Sequence, residues 1–403
     1  MPASSSTPRI LYYALGGGLG HLTRAVALAR QLHRLVPCQQ RLLWNTGFPL
    51  AARELLKTEP DLHWDAFAPS DSADDVGQRV AQIVEQWKPD MLVVDTFPRG
   101  IGGELTQVMP YQPIRHRVLL GRRLPLEYVQ SYQLRDWVER YYHQIIIPGE
   151  ASPWWKGREG QQSSGSDHVL TPVKTDWVEP LLIRDAAELL NHEQAGAVCR
   201  LTERQSCVCI VATGSIAECR RMRQLAEALS ERWQSDWPPL RLVLPPDVRP
   251  ERPTSSPTQQ HSTLMTITHQ PWVECIRRVK LVIAMAGYHL FHEARQTKTP
   301  AIWLSGERKY DRHAERIAEF PSANSLPLHD TLGSADLGQL TQTLLAKIRE
   351  QLTTIPAATP GDTLADNLAD NSCAHARESI PYENGAAAAA QLLRQLLTAV
   401  NAN

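Results

Sequence analysis

The chain lacks several features that would settle its class at once. No block of lysine and arginine of any length occurs, and the formal net charge is −1. A general nucleic-acid binder needs such blocks to neutralise phosphates, so that class is set aside. No apolar run approaches the roughly 20 residues that cross a bilayer, and the first residues, MPASSSTPR, hold no hydrophobic signal core. The seven cysteines, at 38, 199, 207, 209, 219, 275 and 373, contain no CxxC pair. An odd count without staple spacing fits a reducing compartment. A soluble cytoplasmic protein is therefore expected, with peripheral contact at the inner face of a membrane left open.

What is present is an ordinary apolar content, 42% of 403 residues, enough to build two or three cores. The chain then alternates strand and helix signals. From Ile10 to Leu15 an apolar run breaks into Gly16-Gly17-Gly18-Leu19-Gly20-His21, and a helical stretch follows. Strand, tight loop and helix together open a nucleotide- or phosphate-handling α/β domain. The loop has neither the Lys-Ser/Thr of a Walker A motif nor the third glycine of the dinucleotide fingerprint. His21 at its mouth reads as a helix cap or as a functional group.

Further strands are expected at Arg41–Trp44, Leu62–Phe67, Met91–Val94, Arg117–Leu120 and Gln144–Ile147. Helices are expected at Ala51–Lys57, Ala73–Trp87 and Gly100–Val108, with one long arginine- and aromatic-rich helix over Leu126–Tyr142. Asp95 closes the Met91–Val94 strand, where open α/β sheets bind ligands; capping of the Gly100–Val108 helix is its other reading. Ser152–Asp167, with Trp154 and Trp155, reads as a long surface loop. The stretch 173–204, with one helix over Asp185–Cys199, reads as an interdomain connection.

The second half repeats this grammar. Cys207–Val211 is a strand whose two cysteines share a face, and Thr213-Gly214-Ser215 turns it into a helix, offering hydroxyls beside backbone amides. Strands at Leu240–Leu244, Leu264–Thr268, Lys280–Met285 and Ala301–Leu304 follow, with a turn at His269-Gln270-Pro271-Trp272. Residues 353–381, with a repeated LADN, read as a linker, and Gly385–Val400 as a strong helix. The boundaries expected are 1–175 for a first α/β domain, 176–205 for the connection, 206–352 for a second α/β domain, 353–381 for the linker and 382–403 for the last helix.

The most informative local pattern is Ala286-Gly287-Tyr288 followed by Glu293. A carboxylate six residues past a helix-starting glycine can accept two ribose hydroxyls while the helix N-terminus meets a diphosphate; an ordinary helix surface residue is the other reading. His289 and His292 share a face, but the HExxH order of a zinc protease is absent, and no metal is expected.

These stretches resemble the GT-B glycosyltransferases, and among them the N-acetylglucosaminyltransferases of peptidoglycan lipid-intermediate synthesis (glycosyltransferase family 28). The likeness rests on Gly16–His21, Thr213-Gly214-Ser215, the turn at His269, Gly287-Tyr288 with Glu293, and the final helix. It implies two Rossmann-like α/β domains facing across a cleft, the last helix crossing back to the first domain. It further implies a UDP-sugar as co-substrate and no cofactor. Thr213, Gly214, Ser215, His269, Gly287, Tyr288 and Glu293 would bind the donor. His21 would be the general base, with Asp95 as its orienting partner or as a second base, and Gly17, Gly18 and Gly20 would form an acceptor-side wall. The acceptor would be lipid-linked or a small molecule. Where the family carries a glutamine-containing sugar motif, this chain has Tyr310-Asp311-Arg312-His313, so Arg312 and His313 become candidates for a carboxylate or extra phosphate on the donor. GxGHLTRAVALA also resembles a nucleotide-sugar hydrolase that activates water with the corresponding histidine. A non-catalytic nucleotide-sugar-binding partner of another transferase is the third reading.

Overall fold

A computed structural model describes residues 7–150, 173–248, 264–306, 309–319, 325–328, 337–354 and 382–398. The expected loop at 152–167 lies outside these residues, as does the linker expected at 353–381 apart from Thr353 and Thr354, which are helical. The chain forms two compact units, one of Met1–Gly47, Leu56–Ile183 and Asn384–Asn403, the other of Phe48–Leu55 and Arg184–Glu383. Among the described residues no helix is long and apolar enough to cross a membrane.

The strands of the first sheet are β1 (Arg9–Ala14), β2 (Gln39–Asn45), β3 (Leu62–Phe67), β4 (Met91–Asp95), β5 (His116–Leu120), β6 (Gln144–Pro148) and β7 (Lys174–Val178). Between them run α1 (Leu19–Leu35), α2 (Pro49–Lys57), α3 (Ala73–Trp87), α4 (Leu126–Ser131) and α5 (Leu134–Tyr141). The sheet order is β3-β2-β1-β4-β5-β6-β7, with every pairing parallel. The central strands are apolar on both faces because helices cover both: all five residues of β4, MLVVD, are buried. The order reverses between β1 and β4. At such a switch point the connections leave to opposite faces and open a crevice at the strands' carboxyl ends.

The second sheet holds β8 (Cys207–Val211), β9 (Leu240–Val243), β10 (Met265–Ile267), β11 (Val279–Met285), β12 (Ala301–Leu304) and β13 (Ser325–Leu328). Its helices are α6 (His192–Cys199), α7 (Ile216–Ser230), α8 (Tyr288–Gln296), α9 (His313–Glu319) and α10 (Leu337–Thr354). Its order is β10-β9-β8-β11-β12-β13, again parallel throughout, so its switch point falls between β8 and β11. Cys207 and Cys209 both point into this core, their sulfurs 3.5 Å apart.

The last helix, α11 (Gly385–Thr398), belongs to the first unit and packs along α1. Ala386, Ala389, Ala390 and Leu393 make its buried stripe, the spacing of one helical face.

Four local expectations are corrected. The helix over Leu126–Tyr142 is two helices, broken where Gln133 adopts a left-handed backbone, φ 48°. The helix expected from Gly100 shrinks to a 3-10 turn, Glu104–Gln107, because Gly100 and Gly103 both take positive φ. The segment read purely as connection contains β7, an edge strand whose half-exposed residues give little hydrophobic signal. Asp185 opens a short 3-10 turn rather than a long helix, and Asn191 caps α6 separately; each makes its own capping box.

Gly385, at the start of α11, packs against the backbone of Glu179 and Pro180. A Cβ there would stand 1.7 Å from the Glu179 carbonyl oxygen. Gly385→Ala should therefore lower the thermal midpoint in step with a loss of about 2 kcal/mol, whereas Ala388→Ser, on the exposed side, should stay within about 0.5 kcal/mol. Melting curves of both variants check this.

Candidate functional site

The first candidate group stands at the switch point of the first sheet. β1 ends in Ala14, and the chain turns through Leu15, Gly16, Gly17 and Gly18 into α1, placing His21 in its first turn. Gly18 is the N-cap residue and no side chain caps the helix. β4, the neighbouring strand across the switch, ends in Asp95. His21 Nδ1 lies 2.5 Å from Asp95 Oδ2, so neither residue is a helix cap. Arg24, one turn further along α1, clamps the same carboxylate: Nε donates to Oδ1 at 2.9 Å and Nη2 to Oδ2 at 2.7 Å. Asp95 and Arg24 are 2% and 1% exposed, His21 13%.

Burial alone would push the Asp95 carboxyl up, but Arg24 and His21 together hold it below the usual carboxylate range. An ionised Asp95 accepts only, so His21 Nδ1 must carry the hydrogen, leaving the Nε2 lone pair as the open position. Nε2 has no hydrogen-bond partner among the described residues. Burial lowers the His21 pKa below the ordinary histidine value, against the pull of Asp95 and with the help of Arg24 and Arg122. The ring stacks on Phe97, centroids 5.5 Å apart.

The glycine loop serves this ring. A Cβ on Gly16 would lie 2.0 Å from His21 Cδ2 and 2.2 Å from Nε2, so only glycine admits the imidazole there. Gly17 needs its positive φ of 75° for the turn and Gly18 faces open space, while Gly20 lies inside α1. The amides of Gly16 and Gly17 both donate to Asn45 Oδ1, at 2.8 and 2.9 Å. Their hydrogens are thus spent on holding the loop shape, not offered to a phosphate.

The second group stands at the switch point of the second sheet. β8 leads into Thr213, Gly214 and Ser215, and β11 into Gly287. A Cβ on Gly287 would lie 4.0 Å from Thr213 Oγ1, so the two loops are neighbours. Their helix starts differ. Ser215 caps α7 in a closed box: Glu218 accepts from the Ser215 amide and hydroxyl, both at 2.7 Å. An acid of the chain itself already occupies that helix start. Gly287 caps α8 without any side chain.

On α8, Tyr288 is buried against the rings of His289 and His292. Glu293 is 3% exposed and accepts from the side chain of Trp272, with Arg184 nearby. Burial outweighs both, and its pKa is pushed up to about 8. His269 Nε2 meets Glu274 Oε2 at 2.7 Å, and Arg184 Nε donates to Glu274 Oε1 at 2.5 Å. The turn at His269 is thus tied to Arg184, and Arg184 to the surroundings of Glu293.

The last candidates separate. Arg312 is half-buried, its Nε 3.8 Å from Glu315 Oε1. His313 is buried, with Nε2 3.3 Å from Asp311 Oδ2, and Arg316 joins the carboxylate of Asp311 to the Ala286 carbonyl. Asp311, a neighbour of both predicted residues, is the half-buried acid this arrangement presents. Sequence reading gave no role to Arg24, Glu274 or Arg184, and named Gly16 and Trp272 only as parts of their turns. Arg24 had a signal, being three residues past His21 on one helix face; the partners of Glu293 come from distant segments and had none. Among the described residues no group of three or more side chains is placed to hold a metal ion.

Glu293 gives a test. Native Glu293 holds its proton up to about pH 8, while an unfolded glutamate releases it at ordinary carboxylate values. Between about pH 4.5 and 8 the native state binds more protons, so this group's stabilisation declines as pH rises. Wild-type stability measured by urea melts should carry this decline, up to about 1 kcal/mol per pH unit, and Glu293→Gln should flatten it.

No family model matches the chain, and no curated protein does. Solved structures do. The structure of TcCGT1 in complex with UDP aligns with TM-score 0.57 at 12% identity, covering 97% of this chain and 100% of that one. The glycotransferase of kitacinnamycin aligns with TM-score 0.55 at 13% identity, covering 97% and 99%. UDP-GlcNAc 2-epimerase from Neisseria meningitidis, bound to UDP-GlcNAc, aligns with TM-score 0.57 at 12% identity, covering 96% and 99%. What is shared at this identity is the fold: the chain has the two-sheet parallel α/β architecture of the GT-B glycosyltransferases.

Proposed function

We propose that this protein transfers a sugar from a nucleoside diphosphate donor, a UDP-sugar first among those to test, to an acceptor hydroxyl. The observation that carries the reading is the His21–Asp95 pair at the first sheet's switch point, with a buried, oriented imidazole and an open Nε2. Such a group is a general base whose neutral form predominates at neutral pH. In the reaction, Nε2 takes the acceptor proton as the acceptor oxygen bonds to the anomeric carbon. The bond from that carbon to the diphosphate breaks on the opposite side, the diphosphate keeps the electron pair, and configuration inverts.

The donor is assigned to the second unit. The uncapped start of α8 at Gly287 presents a positive dipole end to the diphosphate, with Thr213 and Gly214 beside it. That stabilises the leaving group without calling on a metal ion. Glu293 and the His269–Trp272 turn supply the nucleoside contacts, and Asp311 a sugar hydroxyl contact. UDP-bound and UDP-GlcNAc-bound proteins among the structures of the same fold support a uridine donor. The acceptor is a lipid-linked or small molecule, and peripheral membrane attachment goes with the lipid-linked case.

A thermal-shift panel of UDP, GDP, dTDP and their sugars tests the donor. The matching ligand at a hundredfold its dissociation constant should add about 2.7 kcal/mol of stability. His21→Ala should then lower kcat about a hundredfold or more and leave the donor shift intact. No shift with any nucleotide would remove the donor assignment, and sugar release without an acceptor would make water the acceptor.

A further inference from the structure

The carboxylate of Asp95 is not held by His21 alone. Arg24 lies on the same helix as His21, and its guanidinium takes both carboxylate oxygens, at 2.9 and 2.7 Å. Its Nη2 also stands 3.3 Å from His21 Nδ1 and 3.4 Å from the Thr96 hydroxyl. Two donors therefore converge on Oδ2, and neither can accept. A bidentate Arg–carboxylate pair is among the stronger side-chain interactions and fixes the plane of the acid.

Two acids and two arginines surround His21. Asp95 comes from the end of β4 and Arg24 from α1. Arg122 follows β5, and its Nη2 is 3.6 Å from Glu150 Oε2, which follows β6. Phe97 covers one ring face. Each acid already has an arginine, so a proton added to His21 would meet a neutralised surrounding. In a plain His–Asp pair the acid has no other cation, and burial makes the imidazolium its natural partner. Here that place is taken.

We propose that Arg24 is a positioning residue for His21: by claiming both oxygens of Asp95 it fixes the ring with Nε2 outward and removes the charge that would otherwise hold a proton on it. The base is thereby kept in its accepting form at neutral and mildly acidic pH. This rests on His21 being the base of the proposed transfer. A consequence follows for the chemistry: a base with little support for its charged form works best on a hydroxyl that gives up its proton readily.

The test is a histidine titration by NMR on the full chain, with His21 assigned through His21→Gln, run beside a pH–rate profile. In the wild type, His21 should show the Nδ1–H tautomer and titrate below about 6.5, the ordinary histidine value. In Arg24→Met its pKa should rise by about one unit or more. The acid limb of kcat/KM should move with it, giving roughly a tenfold loss at pH values below both titrations that shrinks to about threefold or less at pH 7 and is recovered above pH 9. Arg24→Lys, which restores the charge without the fork, should bring the titration back toward wild type. A structural role alone would lower activity equally at every pH and leave the titration where it was. An unchanged His21 titration in Arg24→Met overturns the proposal. Should that variant not fold, a wild-type His21 titrating at or above the ordinary value overturns it as well. The titration does not need turnover, so a failed transfer assay and a failed role for Arg24 remain distinguishable.

Discussion

A carboxylate buried at the end of a parallel strand has to be answered by positive charge, and much of the first unit's functional edge follows from how Asp95 is answered. It is 2% exposed, and leaving it unpaired would cost several kcal/mol. Arg24 and His21 supply the partners because α1 begins directly after β1, the strand next to β4. The helix phase puts residues three apart on one side. Gly16 then has to be glycine, since any side chain would strike the ring that Asp95 holds. Asn45 in turn fixes the loop by taking the Gly16 and Gly17 amides. One buried charge thus links the strand order, the helix start, the loop composition and the exposed nitrogen.

The second unit solves the same problem in the other direction. Glu293 is as buried as Asp95, but among the described residues no arginine forks its oxygens. It has the side chain of Trp272 and a more distant Arg184, and it retains its proton near neutral pH. One acid is charged and the other neutral for reasons of local compensation rather than of depth. The two are therefore suited to different tasks. A charged acid orients a base, while a neutral carboxyl both donates and accepts hydrogen bonds, as polyol recognition requires.

The doubly wound class and nearly every strand were legible, because helix-covered parallel strands are continuous apolar runs and their helices carry the 3.6-residue period. No element was expected where β13 and α10 stand, and the other features that escaped were weakly hydrophobic or conformational. β7 is an edge strand, and the break at Gln133 is a single left-handed residue in an otherwise helical pattern. His21, Asp95, Gly287 and Glu293 were nameable because each stands at a fixed step after a strand or a glycine. The contact of Gly16 with the ring had no sequence signal, since only the turn's geometry shows that Gly16 meets His21 while Gly17 and Gly18 do not. The partners that decide protonation were invisible in the case of Glu293, because Trp272 and Arg184 arrive from other parts of the chain. Arg24 was within reach of a helical-wheel reading.

In the proposed reaction the second unit binds the nucleotide and the first moves the proton. Calorimetric titration of UDP into Glu293→Ala and His21→Ala tests that division most directly. Glu293→Ala should weaken UDP binding by about tenfold or more, the cost of about one good hydrogen-bonding partner, while His21→Ala should bind UDP as the wild type does. UDP affinity that falls with His21→Ala and is untouched by Glu293→Ala would contradict it.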